Sequence, residues 1–178
     1  MANRRAFIFP GQGSQLTGMG AALFEQDPSI RYLFDQADEI LGYGLKGLMF
    51  HGAEQELRRT EITQPAVFLY SYATYQSKDS GLPDAVAGHS LGELTALVAA
   101  KALDFESGLR LVDARAKAMQ AACEIMSSTM AAILGLEDEV VQKICIETPG
   151  IVVAANFNCP GQVVISGETA AVEMAAEN

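Results

Sequence analysis

Ala87-Gly88-His89-Ser90-Leu91-Gly92-Glu93 sets one serine between two glycines, where an apolar strand gives way to an alanine-rich helix. Asp84-Ala85-Val86-Ala87 reads as the short buried strand, and Leu91 to Ala100 as the helix, with Leu94, Leu97 and Val98 on one face. Strand and helix meet so closely across this turn that the flanking positions cannot carry a Cβ, and Gly88 and Gly92 carry none. The turn pushes the Ser90 hydroxyl out at the top of a sheet. The helix aims its first amides, and the positive end of its dipole, at any oxyanion formed on a carbonyl that Ser90 attacks. Such a nucleophile elbow points to acyl transfer through a serine ester; the bland alternative is a glycine-bounded serine in an ordinary strand-to-helix turn.

Outward from the elbow, Ala6-Phe7-Ile8-Phe9 is a second apolar strand, ended by the glycine loop Pro10-Gly11-Gln12-Gly13-Ser14-Gln15. Helical patterns cover Gly20 to Gln26, Ser29 to Leu41 up to the Gly42-Tyr43-Gly44 breaker, and Gln64 to Ser77. Asp104 caps a long helix to about Cys123, in which Phe105, Leu109, Val112, Ala116 and Met119 recur at spacings of four and three. Strands alternating with helices predict an α/β fold with a parallel sheet. From Met130 the order changes to strand, helix (Glu137 to Ile146), two strands (Ile151 to Asn156 and Gln162 to Ser166) and helix (Glu168 to Glu177), flanking Asn158-Cys159-Pro160-Gly161. That βαββα run is one strand short of a ferredoxin-like unit. The expected division is a large α/β domain over residues 1–127 and an incomplete ferredoxin-like small domain over 128–178.

Composition narrows the chemistry. An apolar content of 49% can supply a substantial core, and no apolar run approaches the twenty residues of a membrane span. Met1-Ala2-Asn3-Arg4-Arg5 leads into a strand rather than a signal segment, so the expectation is a cytoplasmic protein with no membrane partner. Cys123, Cys145 and Cys159 lack metal-ligand spacing and the histidines are His51 and His89 alone, which speaks against a disulfide scaffold and against a metal site. A net charge of −10 argues against nucleic acid as a partner. Residues 131–178 hold seven acidic side chains against Lys143 alone.

Several separated motifs share one source. Phe9-Pro10-Gly11-Gln12-Gly13-Ser14-Gln15, Thr63-Gln64-Pro65-Ala66, the Ser90 elbow, Arg115 with Met119-Gln120, and Asn156-Phe157-Asn158-Cys159-Pro160-Gly161-Gln162 resemble, in order and spacing, the malonyl-CoA:acyl carrier protein transacylases. The resemblance covers essentially the whole chain. It implies an α/β-hydrolase-like large domain with a ferredoxin-like small one, and transfer of malonyl from malonyl-CoA, a cosubstrate, to the phosphopantetheine thiol of an acyl carrier protein in fatty acid or polyketide synthesis. No cofactor is implied.

On the same footing, Ser90 is the nucleophile, the backbone N–H groups of Gln12 and Leu91 form the oxyanion hole, and Arg115, Gln64 and Asn158 bind substrate. The residues agree in part. Gln12 lies in a glycine loop after a strand, and Leu91 follows the nucleophile at the start of a helix. Arg115 is one turn from Leu111 and Met119, on the half-buried side of its helix. A malonyl carboxylate would pair with it bidentately, whereas acetyl would leave it desolvated at a cost of about 3–5 kcal/mol. The alternatives are a surface pair of Arg115 with Asp113 or Glu124, and loop-capping amides at Gln64 and Asn158. The family commonly has glycine where this chain has Ala116, which leaves acyl preference less fixed.

Serine needs an imidazole, and no histidine follows the elbow. His89 should diverge from the hydroxyl, and His51 reads as a surface residue. In the resembled family the catalytic histidine lies beyond the segment matched here, so the chain is expected to be truncated and, alone, to turn over little. Two other functions stay open: a serine hydrolase or thioesterase, which would not need Arg115, and a non-catalytic fragment that binds acyl carrier protein. Arg58, Arg59 and Lys117 are the candidate basic patch for acidic partners.

Overall fold

The computed structural model describes residues 4–78, 81, 83–125 and 127–178; the opening Met1-Ala2-Asn3 and the Glu124 side chain lie outside the described residues. Two compact units divide the chain, Met1–Gln120 and Ala121–Asn178.

In the first unit β1 (Ala6–Phe9) and β2 (Ala85–Gly88) pair in parallel, from Ala6 opposite Ala85 to Phe9 opposite Gly88. Among the described residues five helices connect them: α1 (Ala21–Gln26), α2 (Pro28–Leu41), α3 (Leu45–His51), α4 (Glu54–Leu57) and α5 (Thr60–Ser77). Helix α2 begins where Asp27 accepts from the Ser29 N–H at 2.8 Å and Pro28 takes the first turn, and it ends at Gly42, whose φ of 76° suits a residue without a Cβ. Its buried stripe, Ile30, Phe34 and Ala37, packs with Leu45 and Met49 of α3, Leu57 of α4, and Val67, Phe68 and Leu69 of α5. Helices α3 and α4 have no counterpart in the sequence expectation, because seven and four residues are too few for a readable period.

Helix α5 starts four residues ahead of the expected Gln64 and carries Pro65 inside it. Proline at that position removes one N–H, but the first turns are held by burial of Thr63, Gln64, Pro65 and Ala66. Beyond β2, α6 (Leu91–Ala99) is followed by α7 (Phe105–Ile125), whose residues after Gln120 fall in the second unit. The expected cap holds: Asp104 accepts from the N–H of Ser107 at 2.7 Å and from its hydroxyl at 2.9 Å. Leu97 does not join the buried face as expected; it is 42% exposed, while Ala96 and Ala99 pack with Phe9. Small residues win there because α6 lies directly on β1 and β2, where a leucine has no room.

The second unit runs β3 (Ser128–Leu134), α8 (Asp138–Glu147), β4 (Val152–Cys159), β5 (Gln162–Glu168) and α9 (Thr169–Glu177). Its sheet is antiparallel in the order β3-β5-β4, the neighbour relations of a ferredoxin-like unit. Val141 and Cys145 of α8, and Val172 and Ala175 of α9, meet Val152, Val163 and Ile165 in a separate core.

Candidate active site

Ser90 sits between β2 and α6 with φ 53° and ψ −103°, a left-handed backbone that a non-glycine residue adopts only under constraint. The constraint is visible on both sides. A Cβ on Gly88 would fall 1.9 Å from the carbonyl carbon of Gly92, and one on Gly92 would fall 2.1 Å from the carbonyl oxygen of Phe9. The His89 N–H donates to the Phe9 carbonyl at 3.1 Å and Gly92 donates to His89 at 2.9 Å, so the turn is tied to the end of β1. Leu91 is the first residue of α6 and almost fully buried; a helix's first N–H has no partner within its own helix. Gly11 packs against the same turn, since a Cβ there would lie 2.7 Å from the His89 carbonyl oxygen and 2.9 Å from its Nδ1. The Gln12 loop is thereby held beside the elbow.

Arg115 reaches this turn from α7. It is half-buried, its Nη2 donates to Ser90 Oγ at 2.8 Å, and its Nη1 donates to Gln64 Oε1 at 2.5 Å. Gln64, 1% exposed on α5, turns its Nε2 toward Gln12 Oε1 at 3.5 Å and Met119 Sδ at 3.2 Å. Gln12 Nε2 in turn donates to Thr60 Oγ1 at 3.3 Å. Four residues far apart in sequence, Gln12, Gln64, Ser90 and Arg115, thus form one hydrogen-bonded chain.

Charge around the site is largely paired off elsewhere. Asp113, the sequence alternative for Arg115, instead accepts from Lys117 at 2.7 Å, and Arg115 forms no ion pair with a described carboxylate. Burial, helped by the Asp113 carboxylate, pushes the Tyr43 phenol well above its usual range, so it stays neutral. Arg58 pairs with Glu54 at 2.5 Å and Arg59 with Glu61, so the expected basic patch of Arg58, Arg59 and Lys117 carries a carboxylate beside each cation. Their longer reach across solvent is correspondingly weak. Beside the Gln12 loop lies a cleft of about 920 Å³, lined by Gln12, Gly13, Gln15, Leu16, Thr17, Glu54, Leu57 and Arg58.

Asn158 belongs to the second unit and is exposed. It stands within β4, not in the expected loop, as the extra residue of a bulge between Phe157 and Cys159, and its Nδ2 donates to Gln162 Oε1 at 3.1 Å. A strand pattern that stops at Asn156 misses this, because the bulge breaks the alternation by which strands are read. His51 is exposed at the end of α3, as expected. Among the described residues no group of His, Cys, Asp and Glu has metal-binding geometry, and no helix is long and apolar enough to cross a membrane.

Residues 6–178 match the acyl transferase domain family. The chain belongs to that family. This acyl transferase domain is 47% identical over 177 residues to the malonyl CoA-acyl carrier protein transacylase of Bacillus subtilis strain 168, an alignment covering 97% of this chain and 56% of that protein. In structure it is similar to the acyl-carrier-protein S-malonyltransferase of Burkholderia pseudomallei 1710b, with a TM-score of 0.89, 46% identity and coverage of 98% of this chain and 58% of that one. It is also similar to a malonyl-transacylase solved with its type II polyketide synthase acyl carrier protein, at TM-score 0.87 and 43% identity, covering 98% and 58%. The chain spans a little over half the length of these relatives. Their fold, an α/β-hydrolase-like large domain with a ferredoxin-like small one, is the fold that the resemblance implied.

Two residues that join this hydrogen-bonded chain, Met119 and Thr60, were not singled out as site residues from the sequence. Met119 had a signal, one helical turn beyond Arg115 on the same face. Thr60 had none, since its role depends on the earlier start of α5.

Proposed function

We propose that the protein carrying this chain moves malonyl from malonyl-CoA to the phosphopantetheine thiol of an acyl carrier protein, with Ser90 as the acyl carrier. The observation that carries the reading is Arg115: a half-buried guanidinium, unpaired with any described carboxylate, 2.8 Å from the nucleophilic oxygen. A cation so placed suits an acyl group whose far end is a carboxylate.

Ser90 Oγ attacks the thioester carbonyl as its proton passes to a base, and the oxyanion is received by the N–H groups of Gln12 and Leu91. The C–S bond breaks, the coenzyme A thiolate leaves and takes up the proton, and the malonyl ester of Ser90 is left. The carrier thiol then attacks that ester, gives its proton to the base, and the serine C–O bond breaks as the hydroxyl recovers its proton. The base is an imidazole, and Asn158 is a further substrate-binding residue. Malonyl-CoA is a cosubstrate and no cofactor takes part; the reaction belongs to fatty acid or polyketide synthesis in the cytoplasm.

Intact-mass measurement of the full-length protein after incubation with malonyl-CoA tests this. One malonyl on Ser90, discharged by acyl carrier protein faster than by water, is the expected result. Label elsewhere, or none, would overturn the proposal, and discharge to water as fast as to the carrier would mark a hydrolase.

A further inference from the structure

We infer that Gln64 sets the acyl preference of this site by holding the Arg115 guanidinium with a neutral acceptor, so that its positive charge is oriented but left for the substrate. The inference rests on the transfer reading above. A guanidinium has only donors, so the group facing Arg115 Nη1 at 2.5 Å must be the amide oxygen of Gln64. Its nitrogen is then turned toward Gln12 Oε1 and Met119 Sδ. With 1% exposure and both amide atoms engaged inside the protein, Gln64 acts through Arg115 and is a positioning residue.

The choice of an amide matters chemically. Glutamate has the same shape as glutamine, with oxygen in place of the amide nitrogen, and would offer the guanidinium a carboxylate at the same place. An internal ion pair would then satisfy Arg115 without any substrate carboxylate, and a malonyl group would meet a carboxylate of its own sign. A neutral acyl group would no longer strand a charge. Amide against acid at position 64 is thus a selector between dicarboxylic and neutral acyl donors.

The test compares acylation rates of Ser90 by malonyl-CoA and acetyl-CoA in the full-length protein and in its Gln64→Glu and Gln64→Leu variants, followed by intact mass. Gln64→Glu should lose about a hundredfold or more in malonyl rate while acetyl stays within about tenfold. Gln64→Leu removes the acceptor but adds no charge, so it should slow malonylation and still favour malonyl. An unchanged ratio in Gln64→Glu, equal losses for both donors, or reversal by Gln64→Leu as large as by Gln64→Glu would overturn the inference while leaving the transfer reading intact. Failure of the unmutated protein to take malonyl on Ser90 would overturn both.

Discussion

Arg115 and Ser90, 25 positions apart in sequence, are joined by a hydrogen bond of 2.8 Å from the guanidinium Nη2 to the hydroxyl oxygen. Helix α7 brings the one, the β2–α6 turn the other, and Gln64 on α5 fixes the angle at which they meet. The bond places a full positive charge where the substituent of an acyl-serine would lie.

Removing that charge should separate acyl donors. In the full-length protein Arg115→Ala is expected to lower malonyl transfer by about two orders of magnitude while sparing or raising acetyl transfer. The lower end of the buried-pair range applies because the arginine is only half-buried. Competition between the two coenzyme A esters measures the ratio, and equal losses would count against the assigned role.

Backbone strain at Ser90 makes a second expectation. On its proposed role both Ser90→Ala and Ser90→Gly should abolish acylation, but only glycine relaxes a φ of 53°. Ser90→Gly should therefore be more stable than Ser90→Ala by about 1–2 kcal/mol, read from paired urea or thermal unfolding curves.

Gly88 allows the opposite change. A methyl group at that position would lie 1.9–2.3 Å from the backbone of Gly92 and Glu93, atoms that no side-chain rotation can move. Gly88→Ala is expected to cost about 4 kcal/mol or more and to appear as loss of soluble, cooperatively melting protein. A variant melting like the unmutated protein would refute the close approach of β2 and α6.

Asp104 links stability to pH. Hydrogen bonds from the Ser107 N–H and then the Ser107 hydroxyl hold its carboxyl below the ordinary value of 3.8. A depressed folded-state value stabilises the fold fully above the ordinary value, and the contribution disappears as pH falls through the folded one. Asp104→Ala should consequently lower the melting temperature at pH 7 and have a smaller effect at an acid pH below 3.8, as the folded-state carboxyl is protonated. Melting curves at the two pH values check the sign.

Local rules explain how much of this was readable beforehand. The elbow, the Asp104 cap, the Gly42 stop and the βαββα run each depend on neighbours within a few residues, so their residue types alone reveal them. Helices α3 and α4 carry too few turns to show a period, the start of α5 hides behind Pro65, and the bulge at Asn158 breaks the alternation of β4. The two short helices and the first turns of α5 are stabilised by burial against distant segments, which overrides local preference, and the bulge shows only in the register of β4 on β5.

The site divides along the same line. Sequence by itself determined the strained turn at Ser90, because Gly88-His89-Ser90-Leu91-Gly92 encodes it through the absence of two Cβ atoms. It also determined the fold class, through the alternation of strand and helix periods around that turn. Only the tertiary structure decided what Arg115 touches. Asp113, two residues away, is taken by Lys117, and the guanidinium turns to Gln64 and Ser90 because packing of α7 against α5 and the elbow puts donors and acceptors in reach across dozens of residues. Hydrogen-bond partners are chosen by distance in space, which the order of residues along a chain does not record.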